Sequence, residues 1–223
     1  MTMKSEHDVW MTINERLQKA GLLILGEMHG ASVNPRIISE FVRRLNISSV
    51  FIEVDKKYAK LLKKITIKNV SATAVAIKKS DAWLFEAGVL SIAHLRLYAQ
   101  FNERGIRVVP IKVEDKNWNR AEKKTAIEIK KNLTTKSQNT LLIVGNLHAR
   151  KKIFGEYRPL GWLLHDAVHV LVRYGKGAIY NFGLIKVSDT SALRMLKKDA
   201  QALRVSRGSF FDFEYLVAET KPL

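Results

Sequence analysis

The chain has 223 residues, 47% apolar and 9% aromatic, enough for one globular domain with a full hydrophobic core and unlike a disordered segment. It contains no cysteine, which excludes disulfides, thiolate metal sites and a cysteine nucleophile. Lys and Arg outnumber Asp and Glu by 38 to 21, a formal charge of +17. The polar first ten residues and the lack of a run of about 18 apolar residues lead us to expect a soluble, cytoplasmic protein.

Met1 to Trp10 is polar and carries Glu6 and Asp8, with His7 placed in a frayed terminus. Leu22 to Leu25, closed by Gly26, reads as a buried strand of a parallel or mixed sheet. Asn34-Pro35 then starts a helix carrying Ile37, Ile38, Phe41, Val42 and Leu45 at helical spacing. Ser49 to Val54 is a second buried strand, Lys56 to Ile65 a helix, and Ile67 to Lys79 a weakly patterned helix. Ala82 to Arg104 reads as one long helix stopped by Gly105, followed by a strand over Ile106 to Val113 that contains Pro110. Asn119 to Lys136 is a charged helix, and Thr140 to Val144 another buried strand. Arg158 to Leu164 reads as a loop entering a short helix, and Val168 to Arg173 and Ala178 to Val187 flank Tyr174-Gly175-Lys176-Gly177 as a hairpin. Ser191 to Leu203 is assigned to helix and Phe211 to Val217 to a last strand. The expected fold is a single α/β domain over residues 1–223, with a central parallel or mixed sheet flanked by helices and a C-terminal β-hairpin.

The chemistry concentrates in a doubled pattern. Leu-Leu-Ile-Leu-Gly-Glu27-Met-His29 recurs as Leu-Leu-Ile-Val-Gly-Asn146-Leu-His148, so two strands each end in Gly-x-x-His. Ligands of such sheets gather beyond the carboxyl ends of the strands, which places both histidines on one rim. Glu27 and His29 lie on the same side of an extended backbone, where a carboxylate can orient an imidazole base or share a metal ion with it. Asn146 cannot act as a base and suits substrate orientation or oxyanion stabilisation. Glu53, near the end of the next strand, adds a second carboxylate to the rim. Arg150 could hold an anionic group, Asp81 is a weaker substrate-binding candidate, and Asp55 and Asp115 read as turn acids.

His165 and His169 have the spacing of a zinc-protease helix, but Asp166 replaces the required Glu and the run Val168 to Val172 argues for a strand. His94 reads as a satisfied core histidine. Lys56 to Lys79 holds eight lysines and no acid. It would attract a nucleic acid by counterion release, although a solvated helix surface is the favoured reading. No nucleophile elbow, Walker loop or Gly-x-Gly-x-x-Gly is present.

At Gly26-Glu27-Met28-His29-Gly30, Glu53 and Gly145-Asn146-Leu147-His148-Ala149, the sequence resembles the superfamily of Tiki-type proteases, TraB-like proteins, erythromycin esterases and haem-binding ChaN proteins. Asp81 and Pro159-Leu160-Gly161-Trp162 also resemble that family's middle and late segments. The likeness spans residues 22–164 and leaves 165–223 as a C-terminal extension. It implies an α/β fold with Glu27, His29, Glu53 and His148 lining one cleft, as catalytic residues or as ligands of Zn, Mn or Fe. The implied activity is hydrolysis of an ester or amide in a small-molecule or peptide substrate, an anionic one included. Haem binding is the alternative that the same likeness carries.

Overall fold

The apolar runs of the doubled motif become adjacent strands at the centre of the sheet. The computed structural model describes residues 5–133, 138–196 and 201–222. Strand β1 (Leu22–Glu27) pairs in parallel with β4 (Thr140–Gly145), and β4 pairs in parallel with β2 (Ser49–Asp55). Leu22 and Ser49 both face Thr140 in register, so the three strands end level with one another. With β3 (Arg107–Lys112), β5 (Val168–Tyr180), β6 (Leu184–Ser188), β7 (Gln201–Val205) and β8 (Phe213–Thr220), the order is β3-β2-β4-β1-β5-β8-β7, with β6 on β5. All pairs are parallel except β5 with β6 and β7 with β8.

The central strands are apolar without interruption because both faces are covered. Leu23, Leu25, Leu141 and Ile143 enter the larger core beneath helices α1 (Glu6–Ala20) and α2 (Asn34–Arg44). Leu22, Ile24, Leu142 and Val144 point the other way, into a smaller core closed by Ala126, Ile129 and Leu160.

Helix α1 was not foreseen. Ser5 and Asp8 form a capping box, and Val9, Trp10, Ile13 and Leu17 bury one stripe, so His7 lies inside a helix rather than in a frayed end. After a 3-10 turn (Lys56–Tyr58) come α3 (Ala59–Lys63) and α4 (Val70–Ser80). The long helix expected over 82–104 is two helices, α5 (Trp83–Glu86) and α6 (Ile92–Glu103). The break falls at Gly88, which adopts φ +69° and touches Gly30, itself at φ +81°. Gly30 N–H donates to the Gly88 carbonyl at 3.1 Å, and Tyr180 N–H donates to the Gly30 carbonyl. This knot fixes the loop that carries His29. A Cβ on Gly88 would lie 2.5 Å from Gly30 Cα and from the Tyr180 carbonyl oxygen. Gly88→Ala should therefore destabilise the fold by about 2–4 kcal/mol, and an unchanged Tm in thermal unfolding would refute the account.

Helices α7 (Trp118–Asn132) and α8 (Leu160–Leu163) follow as expected, while the part of the predicted charged helix within 134–137 lies outside the described residues. The hairpin is present, but its turn is at Asn181 to Gly183, not at Tyr174 to Gly177. Gly177 is paired on both sides, with Val187 and with Thr220, and a Cβ there would meet the Thr220 carbonyl at 1.9 Å. Its glycine serves close backbone approach, not a turn. Of the helix expected over 191–203, residues 191–196 belong to α9 (Thr190–Leu196), 197–200 lie outside the described residues, and 201–203 belong instead to the edge strand β7.

Candidate active site

Glu27 is the last residue of β1, 4% exposed, and its Oε1 lies 2.7 Å from Nδ1 of His29. The other ring nitrogen of His29, Nε2, faces Oε2 of Glu53 at 3.6 Å. Across β4, Glu53 Oε1 faces Nε2 of His148 at 3.4 Å. His148 in turn places Nδ1 against Oε1 of Glu122, which also accepts a hydrogen bond from the Tyr157 hydroxyl. The Tyr157 hydroxyl is 2.8 Å from His148 Nδ1. Acid and imidazole alternate without a gap from Glu27 to Glu122.

The register explains the convergence. Gly145 ends β4 between β1 and β2, and its N–H donates to Glu53 Oε2 at 2.9 Å. A Cβ on Gly145 would sit 3.2 Å from His29 Nε2 and 3.5 Å from His148 Cδ2. The glycine that closes the second motif thus makes room for side chains from both neighbours. The Asn146 N–H donates to the Glu27 carbonyl at 2.8 Å and ties the two motifs together through the backbone.

Burial pushes the His29 pKa down, but the hydrogen bonds and charges of Glu27 and Glu53 outweigh it and push it up to about 10. Burial alone would raise Glu53. The charge of His148 and the contacts with His29 and the Gly145 N–H instead hold it well below the usual carboxylate range. For His148 burial again opposes the charge, and Glu53 and Glu122 raise its pKa above the ordinary value. His94 is the satisfied core histidine expected, 2% exposed with Nδ1 3.0 Å from Ser91 Oγ, and burial pushes its pKa down to about 4. It lines a small internal pocket with Glu27, whose buried Oε2 has no hydrogen-bond partner among the described residues.

The cluster opens on one side only partly. His148 is the most exposed of the four motif side chains, at 28%. A cleft of about 610 Å³ is lined by Glu53, Glu122, His148, Trp118, Trp83 and Glu114. The Trp118 ring lies 6.4 Å from the His148 ring and nearly parallel to it. An adjoining cavity of about 340 Å³ contains Asp81, Asp55 and Glu114 and shares the Trp83 wall. Asp81 is ion-paired with Lys57 at 3.5 Å. Arg150 lies over the rings of Phe154 and Phe210 and is not among the residues lining the cleft. Asp55 accepts from Lys57 N–H, and Asp115 binds Arg120 and Lys124, both as turn acids. His169 is buried in β5 with Nδ1 2.9 Å from the Ala149 carbonyl, and His165 is exposed, so they form no helical pair.

Glu122, Tyr157 and Trp118 were not anticipated. Glu122 is only 5% exposed and falls on the buried stripe of α7 with Thr125, Ala126 and Ile129. A carboxylate in line with an apolar stripe was the available signal, hidden among the helix's other charges. Among the described residues, no three His, Asp or Glu side chains are gathered closely enough to hold a metal ion as they stand. No described helix is long and apolar enough to cross a membrane.

No family model and no curated protein sequence matches the chain. Among solved structures it is similar to a succinoglycan biosynthesis protein, at 10% identity and TM-score 0.56, covering 100% of this chain and 99% of that one. It is also similar to the type III effector HopBA1, at 11% identity and TM-score 0.50, covering 96% and 94%. ChaN of Campylobacter jejuni, solved with cofacially bound haem, aligns at 14% identity and TM-score 0.45 over 93% and 91%. Identities of this size speak to the fold alone, and the likeness rests on the first two.

Proposed function

We propose that the chain is a hydrolase that activates water against an ester or amide carbonyl, with His148 as the base. The observation that supports this reading is the unbroken alternation of carboxylate and imidazole from Glu27 to Glu122, ending at the wall of an open cleft. Glu27 is buried and committed to His29, so the water-facing role passes to His148. Its Nδ1 is held by Glu122, and its Nε2 stands 3.4 Å from Glu53, too far for a strong hydrogen bond, so a cleft water can compete for it. Nε2 takes a proton from water as the water oxygen attacks the carbonyl carbon, and returns it to the leaving alkoxide or amine. The imidazolium of His29, which does not itself line the cleft, supplies positive charge from behind Glu53.

Turnover of 4-nitrophenyl acetate and of a peptide amide tests the reading. His148→Ala should lower kcat by about 10²- to 10⁴-fold with an unchanged circular dichroism spectrum. Equal turnover in the variant would end the assignment.

A divalent cation at the same residues is the second reading, favoured by the carboxylate behind each Nδ1, as metal-bound imidazoles have. Glu53, His29 and His148 would have to draw closer together than they stand to hold it, with Glu27 orienting the His29 ring from behind, and a bound cation lowers the pKa of its water. Zn, Mn or Fe found by elemental analysis of the purified protein and lost in Glu53→Gln selects it. Haem ligation would require His29 or His148 to turn from Glu53, and a Soret band on haem titration is its test. For a nucleic acid at the Lys56–Lys79 stretch, the test is a steep salt dependence lost on neutralising those lysines.

A further inference from the structure

Helices α2 and α6 lie side by side over the larger core, and each presents a polar edge to the groove between them. On α2 the helical repeat sets Arg36, Glu40, Arg43 and Arg44 along this edge, one turn apart. On α6 it sets Ala93, Arg96, Leu97 and Gln100 opposite them. The groove measures about 680 Å³ and is lined by four arginines and a single carboxylate.

That carboxylate is already engaged. Glu40 binds Arg44 Nε at 2.8 Å and accepts from the Tyr215 hydroxyl at 2.6 Å. Arg36 donates to the side-chain oxygen of Gln201 at 3.1 Å, a neutral partner that leaves its charge uncompensated. Among the described residues, Arg43 and Arg96 make no ion pair and no hydrogen bond. Three guanidinium charges therefore face one groove without an acid to answer them, although 21 acids are available in the chain. Like charges held together on neighbouring helices repel, so the arrangement is destabilising until an anion enters.

We propose that this groove is a binding site for a small-molecule anion bearing two or more linked phosphoryl groups, of about nucleotide size. Guanidinium forks match phosphoryl oxygens in pairs, which an ammonium cannot do, and no lysine lines the groove. One phosphoryl group satisfies one or two guanidiniums, so Arg43 and Arg96 with Arg36 call for a linked pair. The volume is in the usual range for a small-molecule site. Ala93 and Leu97 offer an apolar floor, and Gln100 and Gln201 offer amides, to whatever the phosphates are attached to. No lining residue is shared with the catalytic cleft, so the site stands or falls independently of the hydrolase reading.

Calorimetric titration of the full chain with inorganic triphosphate, ATP and sulfate at constant ionic strength tests this. Triphosphate is expected to bind at least tenfold more tightly than sulfate. Arg43→Gln combined with Arg96→Gln should weaken it at least tenfold with no loss of Tm, because both side chains are exposed and their removal relieves repulsion. Lys68→Gln with Lys78→Gln should leave it intact. ATP binding tighter than triphosphate would place the organic part in the groove, and equal affinity would identify the phosphoryl chain as the whole ligand. The proposal is overturned if triphosphate binds no better than sulfate, if the double arginine variant binds as the parent does, or if the lysine variant loses binding. It is equally overturned if a single-stranded oligonucleotide binds and triphosphate does not.

Discussion

Glu53→Gln should lower kcat/KM by at least about a hundredfold and bring down the pKa of both His29 and His148. Among the described residues Glu53 is the single carboxylate that faces both imidazoles, through Oε2 at 3.6 Å and Oε1 at 3.4 Å. Glutamine keeps the shape and still offers an oxygen to the Gly145 N–H, so the strand ends should stay in place. It removes the charge that favours the protonated form of both imidazoles, and an imidazolium that loses a carboxylate partner gives up its proton more readily. His29, still paired with Glu27 at 2.7 Å, would then present less positive charge to an oxyanion, and His148 would become a weaker base. Imidazole NMR titration beside steady-state kinetics checks both halves. Unchanged turnover with unchanged histidine titration would remove Glu53 from the site.

Glu27→Gln should move the His29 pKa from about 10 toward the ordinary imidazole range and strip the protein of an alkali-sensitive part of its stability. A raised folded-state pKa stabilises fully below the unfolded value of 6.5, and that contribution declines as pH rises and is lost through about 10. Glu53, held low, contributes above its unfolded value of 4.5 and loses that contribution as pH falls below it. These two groups together favour the fold most between 4.5 and 6.5. Tm measured from pH 6 to pH 10 should therefore fall in the parent, and fall less steeply in Glu27→Gln. The variant should also lose about 1.5–3 kcal/mol at neutral pH, the range for a hydrogen bond to a charged group. Catalysis would add a bell, its acid limb set by His148 above the ordinary imidazole value and its alkaline limb by His29 near 10. A parent Tm that does not change between pH 6 and pH 10 would contradict the ion pair.

The parts of this protein that its sequence determined by itself are those in which a short stretch carries its own physics. Four apolar residues before a glycine fit a strand covered on both faces, and Leu22 to Leu25 and Leu141 to Val144 became the sheet's centre. A Glu two residues before a His at a strand end is expected to share its side, and His29, although it lies in the turn beyond the strand, does meet Glu27. The stripe Val9, Trp10, Ile13, Leu17 was equally local, and its helix was missed because the polar residues around it drew the reading. Only the tertiary structure decided what depends on a distant partner. Gly88 breaks a helix because Gly30 and Tyr180 lie against it, and Gly177 stands in a strand because Thr220 leaves no room for a Cβ. Glu122 reaches His148 across 26 residues of sequence, and Arg96 lines one groove with Arg43 only because α2 and α6 cover the same core. Periodicity reports which face of an element is buried. It is blind to which other element lies on that face, because packing depends on the whole chain's path and not on any one segment's composition.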